Sequence, residues 1–195
     1  SEIMNANPEK DPAKKDWTGV LNLGIGNNRI LSVGLGEPGR IRFDRDILEQ
    51  RGLRAVIIFE AINDIGTSKA PDETSRQLIE AYHVMISKAK ARGLKVYMGT
   101  ITPFRGCKSY FTEEREKARK VVNDWSRTTK EIDGFIDFDA LMRDPSEPEQ
   151  LRKEWQSGDW LHPNPDGYKM MGEFAAKQLS KQATPGNGFS TVTVR

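Results

Sequence analysis

The run Ala55-Val56-Ile57-Ile58-Phe59 has no polar interruption. A strand that is apolar at every position has to be covered on both faces, as happens in a parallel sheet held between helical layers. Three further segments suit the same sheet: Gly19-Val20-Leu21-Asn22-Leu23, residues 94–101, and Phe135-Ile136-Asp137-Phe138. The intervals between them carry helical spacing. Ile41, Phe43, Ile47 and Leu48 mark a helix over 40–50. Leu78, Ile79, Tyr82, Met85, Ile86 and Ala89 mark another over 72–92, with Asp72 or a neighbour as its cap and Gly93 as its stop. Thr112 is placed to cap a helix that reaches about Thr129, with Glu113, Glu114 and Glu116 in its favourable first turns. A last helix runs from Pro165 to Lys181. Strands alternating with helices in this way predict βα units and a parallel α/β sheet. Ligands of such sheets bind beyond the carboxyl ends of the strands. The chemistry is therefore expected in the loops after Leu23, Phe59, Ile101 and Phe138.

Composition narrows the partners. With 30 basic residues against 28 acidic ones, the chain presents no electrostatic reason to bind nucleic acid or an anionic membrane. No apolar stretch approaches the roughly 20 residues of a membrane-spanning helix. The single cysteine, Cys107, has no internal disulfide partner, and no Cys/His group has metal-ligand spacing, so neither metal nor cofactor is expected. At 195 residues one domain is expected over 17–182, after an irregular lead-in over 1–16 and before a tail over 183–195. The tail includes the β-prone Phe189-Ser190-Thr191-Val192-Thr193-Val194. A start at Ser1 rather than methionine reads as a processed or truncated chain, with a lean toward secretion.

Three of the loops hold residues able to do chemistry. His162 lies in Gly158-Asp159-Trp160-Leu161-His162-Pro163-Asn164, and Asp159 stands three residues upstream. One tight turn brings that carboxylate to the imidazole Nδ1–H, which fixes the tautomer and aims Nε2 outward. A plain helix-entry turn explains the same spacing equally well. The chain's other histidine, His83, falls inside a helix and reads as an ordinary residue there. In Glu60-Ala61-Ile62-Asn63-Asp64 an amide at a strand's carboxyl end can meet a developing oxyanion, although on these residues alone an Asx turn is the simpler reading. Gly24-Ile25-Gly26 is no dinucleotide fingerprint, but it lets backbone N–H groups approach a substrate closely. Trp155, Trp160, Tyr110 and Phe111 suit either a pocket wall or the core.

Taken in order, these sites resemble the SGNH or GDSL hydrolases, a superfamily of lipases and esterases. Val20 to Asn28 is similar to the family's second block, Ala61-Ile62-Asn63-Asp64 to its third, and Asp159-Trp160-Leu161-His162-Pro163-Asn164 to its last. The resemblance implies a three-layer α/β/α sandwich of flavodoxin-like design and a carboxyl-ester hydrolase. His162 takes the place of the general base and Asp159 that of its orienting acid. Asn63 takes the place of the side-chain oxyanion donor, and the backbone donor falls on Asn27. Gly24, Gly26, Asp64 and Trp160 would line the substrate pocket. Two family glycines are replaced, by Asn27 and Ala61.

The family's first block, Gly-Asp-Ser on the first strand, occurs nowhere in the sequence. The nucleophile is thus unknown, with Ser1 a weak candidate and Ser32 a weaker one. An N-terminal peptide, a partner chain or the 189–194 tail is expected to supply the missing strand, and either of the first two the serine. The expected substrate is a small ester or an acylated carbohydrate. Two other readings stand beside this one: an inactive module of the same fold that binds acylated or carbohydrate ligands, and a flavodoxin-like module of unrelated ancestry.

Overall fold

The computed structural model describes residues 19–182. The lead-in over 1–16, the tail over 183–195 and Ser1 lie outside them. In chain order the elements are α1 (Gly39–Phe43), a π-turn (Asp44–Leu48), β1 (Ala55–Ile58), α2 (Ile62–Gly66), α3 (Pro71–Ala91) and β2 (Lys95–Gly99). There follow α4 (Glu113–Thr128), β3 (Gly134–Ile136), α5 (Phe138–Met142), a 3-10 turn (Lys153–Trp155) and α6 (Pro165–Gln182). The strands form a parallel sheet in the order β1-β2-β3, with Ala55 opposite Lys95 and Tyr97 opposite Gly134.

Strand alternation divides the side chains between two cores. Val56, Ile58, Val96 and Met98 pack with Leu78, Tyr82, Met85 and Ile86 of α3 and with Val122 of α4. On the opposite face Tyr97 and Ile136 pack with Met171 and Leu179 of α6 and Met142 of α5. The molecule is a three-layer α/β/α sandwich. The second layer leaves β1 partly open, for Ile57 and Phe59 are each 42% exposed.

The structure departs from the sequence reading in five places. Residues 19–23 form no strand: Val20 and Leu21 are exposed, and among the described residues the sheet has three strands rather than four. The helix expected over 40–50 is α1 continued by a wider π-turn. Ala70, not Asp72, precedes α3, because Pro71 occupies the first helical position, where a missing N–H costs nothing. Asn63 and Asp64 sit inside the short helix α2 instead of an Asx turn. The strand expected over 135–138 stops at Ile136, because Asp137 caps α5 and Phe138 opens it. Two helix ends are as expected. Gly93 adopts φ +74° after α3, and Thr112 caps α4 by accepting the Arg115 N–H at 3.2 Å.

The start of the loop after β2 is fastened from α4. Asn123 accepts the Ile101 N–H at 2.7 Å and donates to the Ile101 carbonyl at 2.9 Å. Arg119, 2% exposed, donates to the same carbonyl, to both oxygens of Glu116 and to Asp139, all at 2.7–2.8 Å. Removing one member of a buried ionic group leaves the others charged and dry. Arg119→Ala is expected to cost about 3–5 kcal/mol of stability, read from urea unfolding.

Candidate active site

The loops that leave the three strands meet at the sheet's carboxyl end. The first turns sharply into α2 at Ala61, which is fully buried at φ +103°. That is a left-handed backbone for which a residue with a Cβ is ill suited. One residue into α2, Asn63 donates from Nδ2 to the Asn28 carbonyl at 2.9 Å, and its Oδ1 accepts the Tyr110 hydroxyl at 2.7 Å. Asp64 accepts the backbone N–H groups of Ile30 and Leu31, each at 2.9 Å. Both carboxylate oxygens therefore hold the chain together, and Asp64 is only 6% exposed.

The loop after β2 reaches across to the others. Tyr110 meets Asn63, and Gly106 lies so close to Trp160 that a Cβ there would come within 2.7 Å of the indole. Arg105 adds two ties to Glu149 in the loop after α5, one through its backbone N–H and one through its guanidinium.

The segment carrying His162 closes on itself. The Ser157 N–H donates to the His162 carbonyl at 2.9 Å, and Gln156 pairs with Pro163. Inside this turn Asp159 Oδ1 accepts the N–H of Leu161, the N–H of His162 and the Ser157 hydroxyl, at 2.9–3.1 Å. Asp159 Oδ2 lies 2.6 Å from His162 Nδ1. A carboxylate can only accept here, so Nδ1 carries a proton, and in the neutral imidazole the lone pair is on Nε2. Partial burial pushes the Asp159 carboxyl up, but the His162 N–H and imidazole, the Leu161 N–H and the Ser157 hydroxyl outweigh it and hold the group well below the usual carboxylate range. The imidazole is 62% exposed and open to a reactant. Among the described residues no hydroxyl or thiol hydrogen-bonds Nε2.

Of the other expected residues, Asn27 adopts φ +51°, a left-handed conformation that glycine takes without strain. The Gly24 N–H is used by Asn22 Oδ1 at 2.9 Å. Gly24 and Gly26 are exposed. Trp160 is half-buried at φ +60°. His83 pairs with Glu131 on the exposed face of α3, at 2.7 Å. Ser32 lines a groove of about 1020 Å³ beside α1 and α3, with Arg29, Leu31, Ile41, Asp64 and Met85. Of the expected pocket residues that groove takes in Asp64 alone, and His162 is not in its wall. Two participants escaped the sequence reading of the site. In the sequence Tyr110 shows only as an aromatic for a pocket wall or the core, and Asn28 only as the last residue of the second block, since its part is played by its backbone carbonyl.

A parallel three-layer sandwich that carries a hydrogen-bonded His–Asp pair in one loop and a buttressed amide in another defines an α/β protein with the parts of a candidate site. The model of the GDSL-like Lipase/Acylhydrolase family matches residues 7–170, and the chain belongs to that family of hydrolases. Solved structures agree on the fold. A GDSL-like lipase from Bacteroides thetaiotaomicron is 19% identical with a TM-score of 0.60, covering 74% of this chain and 70% of its own. A protein assigned as an acylhydrolase from Bacteroides fragilis is 23% identical with a TM-score of 0.60, covering 73% and 68%. A protein assigned to the G-D-S-L lipolytic family from Desulfitobacterium hafniense is 24% identical with a TM-score of 0.55, covering 71% and 72%. A search of curated proteins finds no match.

Two carboxyl groups near the site, Glu60 and Asp64, are tuned upward by burial. Burial raises Glu60 from its ordinary 4.5 to about 7, with the Ala61 N–H opposing and the Asp64 charge assisting. Between those values the native state holds a proton that the unfolded chain has released, so stability falls as pH rises from about 5 to 7. Glu60→Gln is expected to flatten that fall by about 1–3 kcal/mol, measured as urea midpoints at the two pH values.

Proposed function

We propose that the protein is the acid–base and oxyanion portion of a serine carboxyl-ester hydrolase acting on small esters or acylated carbohydrates. The observation that carries this reading is the 2.6 Å contact between Asp159 and His162 Nδ1, with Nε2 left exposed. In the reaction a serine Oγ attacks the ester carbonyl carbon while Nε2 takes its proton. Asp159 stabilises the imidazolium, and Asn63 Nδ2–H, with the Asn27 N–H, stabilises the tetrahedral oxyanion. Collapse breaks the C–O bond and the alkoxide leaves with the proton from Nε2. Water, deprotonated by the same nitrogen, then releases the acid and restores the serine.

The serine is proposed to arrive on a strand-forming segment bearing Gly-Asp-Ser from outside these 195 residues. Supporting this is the outer edge of β1. The Lys95 N–H donates to the Arg54 carbonyl, so residues 54, 56 and 58 turn their backbone groups to β2 while Ala55 and Ile57 turn theirs the other way. Among the described residues no strand takes that edge, and Ile57 and Phe59 lie exposed beside it.

The purified chain is expected to hydrolyse short p-nitrophenyl esters negligibly, and an added Gly-Asp-Ser segment is expected to restore turnover. With the segment present, His162→Ala should remove nearly all activity and Asn63→Ala should lower kcat by roughly 10²–10³. His83→Ala should leave kcat unaltered. Strong His162-dependent activity from the chain alone would place the nucleophile within it, at Ser1 or another serine. No turnover after addition would favour the inactive module that binds acylated or carbohydrate ligands.

A further inference from the structure

We propose that Tyr110 is a positioning residue: its hydroxyl, together with the Asn28 carbonyl, locks the Asn63 side-chain amide with one Nδ2–H left over for an oxyanion. The proposal rests on the reading of Asn63 as an oxyanion donor. The Asn28 carbonyl can only accept, so the atom 2.9 Å from it must be the amide nitrogen. That leaves Oδ1 toward Tyr110, whose hydroxyl donates at 2.7 Å. One end of the amide is thus held from residue 28 and the other from residue 110. The amide nitrogen carries two hydrogens, and Asn28 uses one.

A single hydrogen bond would leave the amide free to swing about χ2, which is a broad torsion in asparagine. Two bonds at opposite ends remove that freedom before substrate arrives, which is what an oxyanion donor requires. The hydroxyl also draws electron density from Oδ1 and so strengthens the remaining N–H as a donor.

Tyr110 is itself fixed from two directions. Its ring lies on Gly66 at the end of α2, where a Cβ would come within 2.0 Å of the ring edge. Its backbone is held by Arg115, which donates to the Tyr110 carbonyl at 3.0 Å and to Ser109 at 3.3 Å. The same guanidinium reaches the Ser68 carbonyl, at 2.8 and 3.0 Å, and so fastens the loop after β2 to the turn between α2 and α3. Burial pushes the phenol pKa up, which keeps the hydroxyl protonated as the donor this arrangement needs.

Tyr110→Phe removes the hydroxyl and keeps the ring on Gly66. In the 195-residue chain, NMR should show the Asn63 Nδ2 protons exchanging with water at least about tenfold faster in the variant, with the backbone amides of residues 62–66 unaltered. An unchanged Asn63 amide would overturn the proposal. Equal loss of protection along the α2 backbone would also overturn it, by making the hydroxyl a general structural tie. With the Gly-Asp-Ser segment added, Tyr110→Phe should lower kcat about ten- to a hundredfold with KM within about twofold, and should lower it no further in an Asn63→Ala background. A kcat equal to that of the parent, or a full additional loss on top of Asn63→Ala, would count against it. Absence of turnover in the parent would instead strike at the hydrolase reading, and the amide exchange would still decide the role of Tyr110.

Discussion

Asp64 spans two parts of the chain that are more than thirty residues apart, receiving the N–H groups of Ile30 and Leu31 on its two oxygens. Burial pushes its carboxyl pKa up, and those two donors pull it back. The gain is positional. With residues 30 and 31 held against α2, the Asn28 carbonyl falls beside Asn63 Nδ2. Asn28 is secured in turn by Arg42 on its side-chain oxygen, at 2.6 and 3.1 Å, and by the Glu37 carbonyl on its amide. Two buried backbone donors would lose their partners without Asp64, and an unsatisfied buried group costs more than an ordinary hydrogen bond contributes.

This explains why parts of the site were legible in the sequence and parts were not. The strands at 55–58, 95–99 and 134–136 and the three long helices declare themselves through composition and period, which are local properties. Asp159 and His162 share one turn, so their spacing alone puts the carboxylate within reach. Helices α2 and α5 are five residues each, too short to show a period. Residues 19–23 have the look of a strand, but a strand needs a neighbour, and no described residue supplies one. Tyr110 meets Asn63 across 47 residues, a pairing that no spacing rule encodes.

The loop after β2 has a comparable place among the loops. Asn123 and Arg119 fasten its beginning from α4, Arg105 ties its middle to Glu149, and Arg115 secures its end. It touches α2 through Tyr110 and the His162 turn through Gly106. The long helix α4 therefore stabilises both halves of the site without contributing a reacting group to either.

Those two halves are built on different scales. The polar contacts that fix Asp159 and His162 lie within residues 157–162, whereas the amide of Asn63 depends on residues 28 and 110. Short-range contacts survive partial loosening of a fold, and long-range ones vanish with the packing that brings their ends together. The His162 turn consequently carries the polar contacts of its own Asp–His pair within one short peptide segment. The Asn63 amide belongs to the whole domain. Under heat or mild denaturant the Asp159–His162 contact would outlast the two bonds that hold the Asn63 amide.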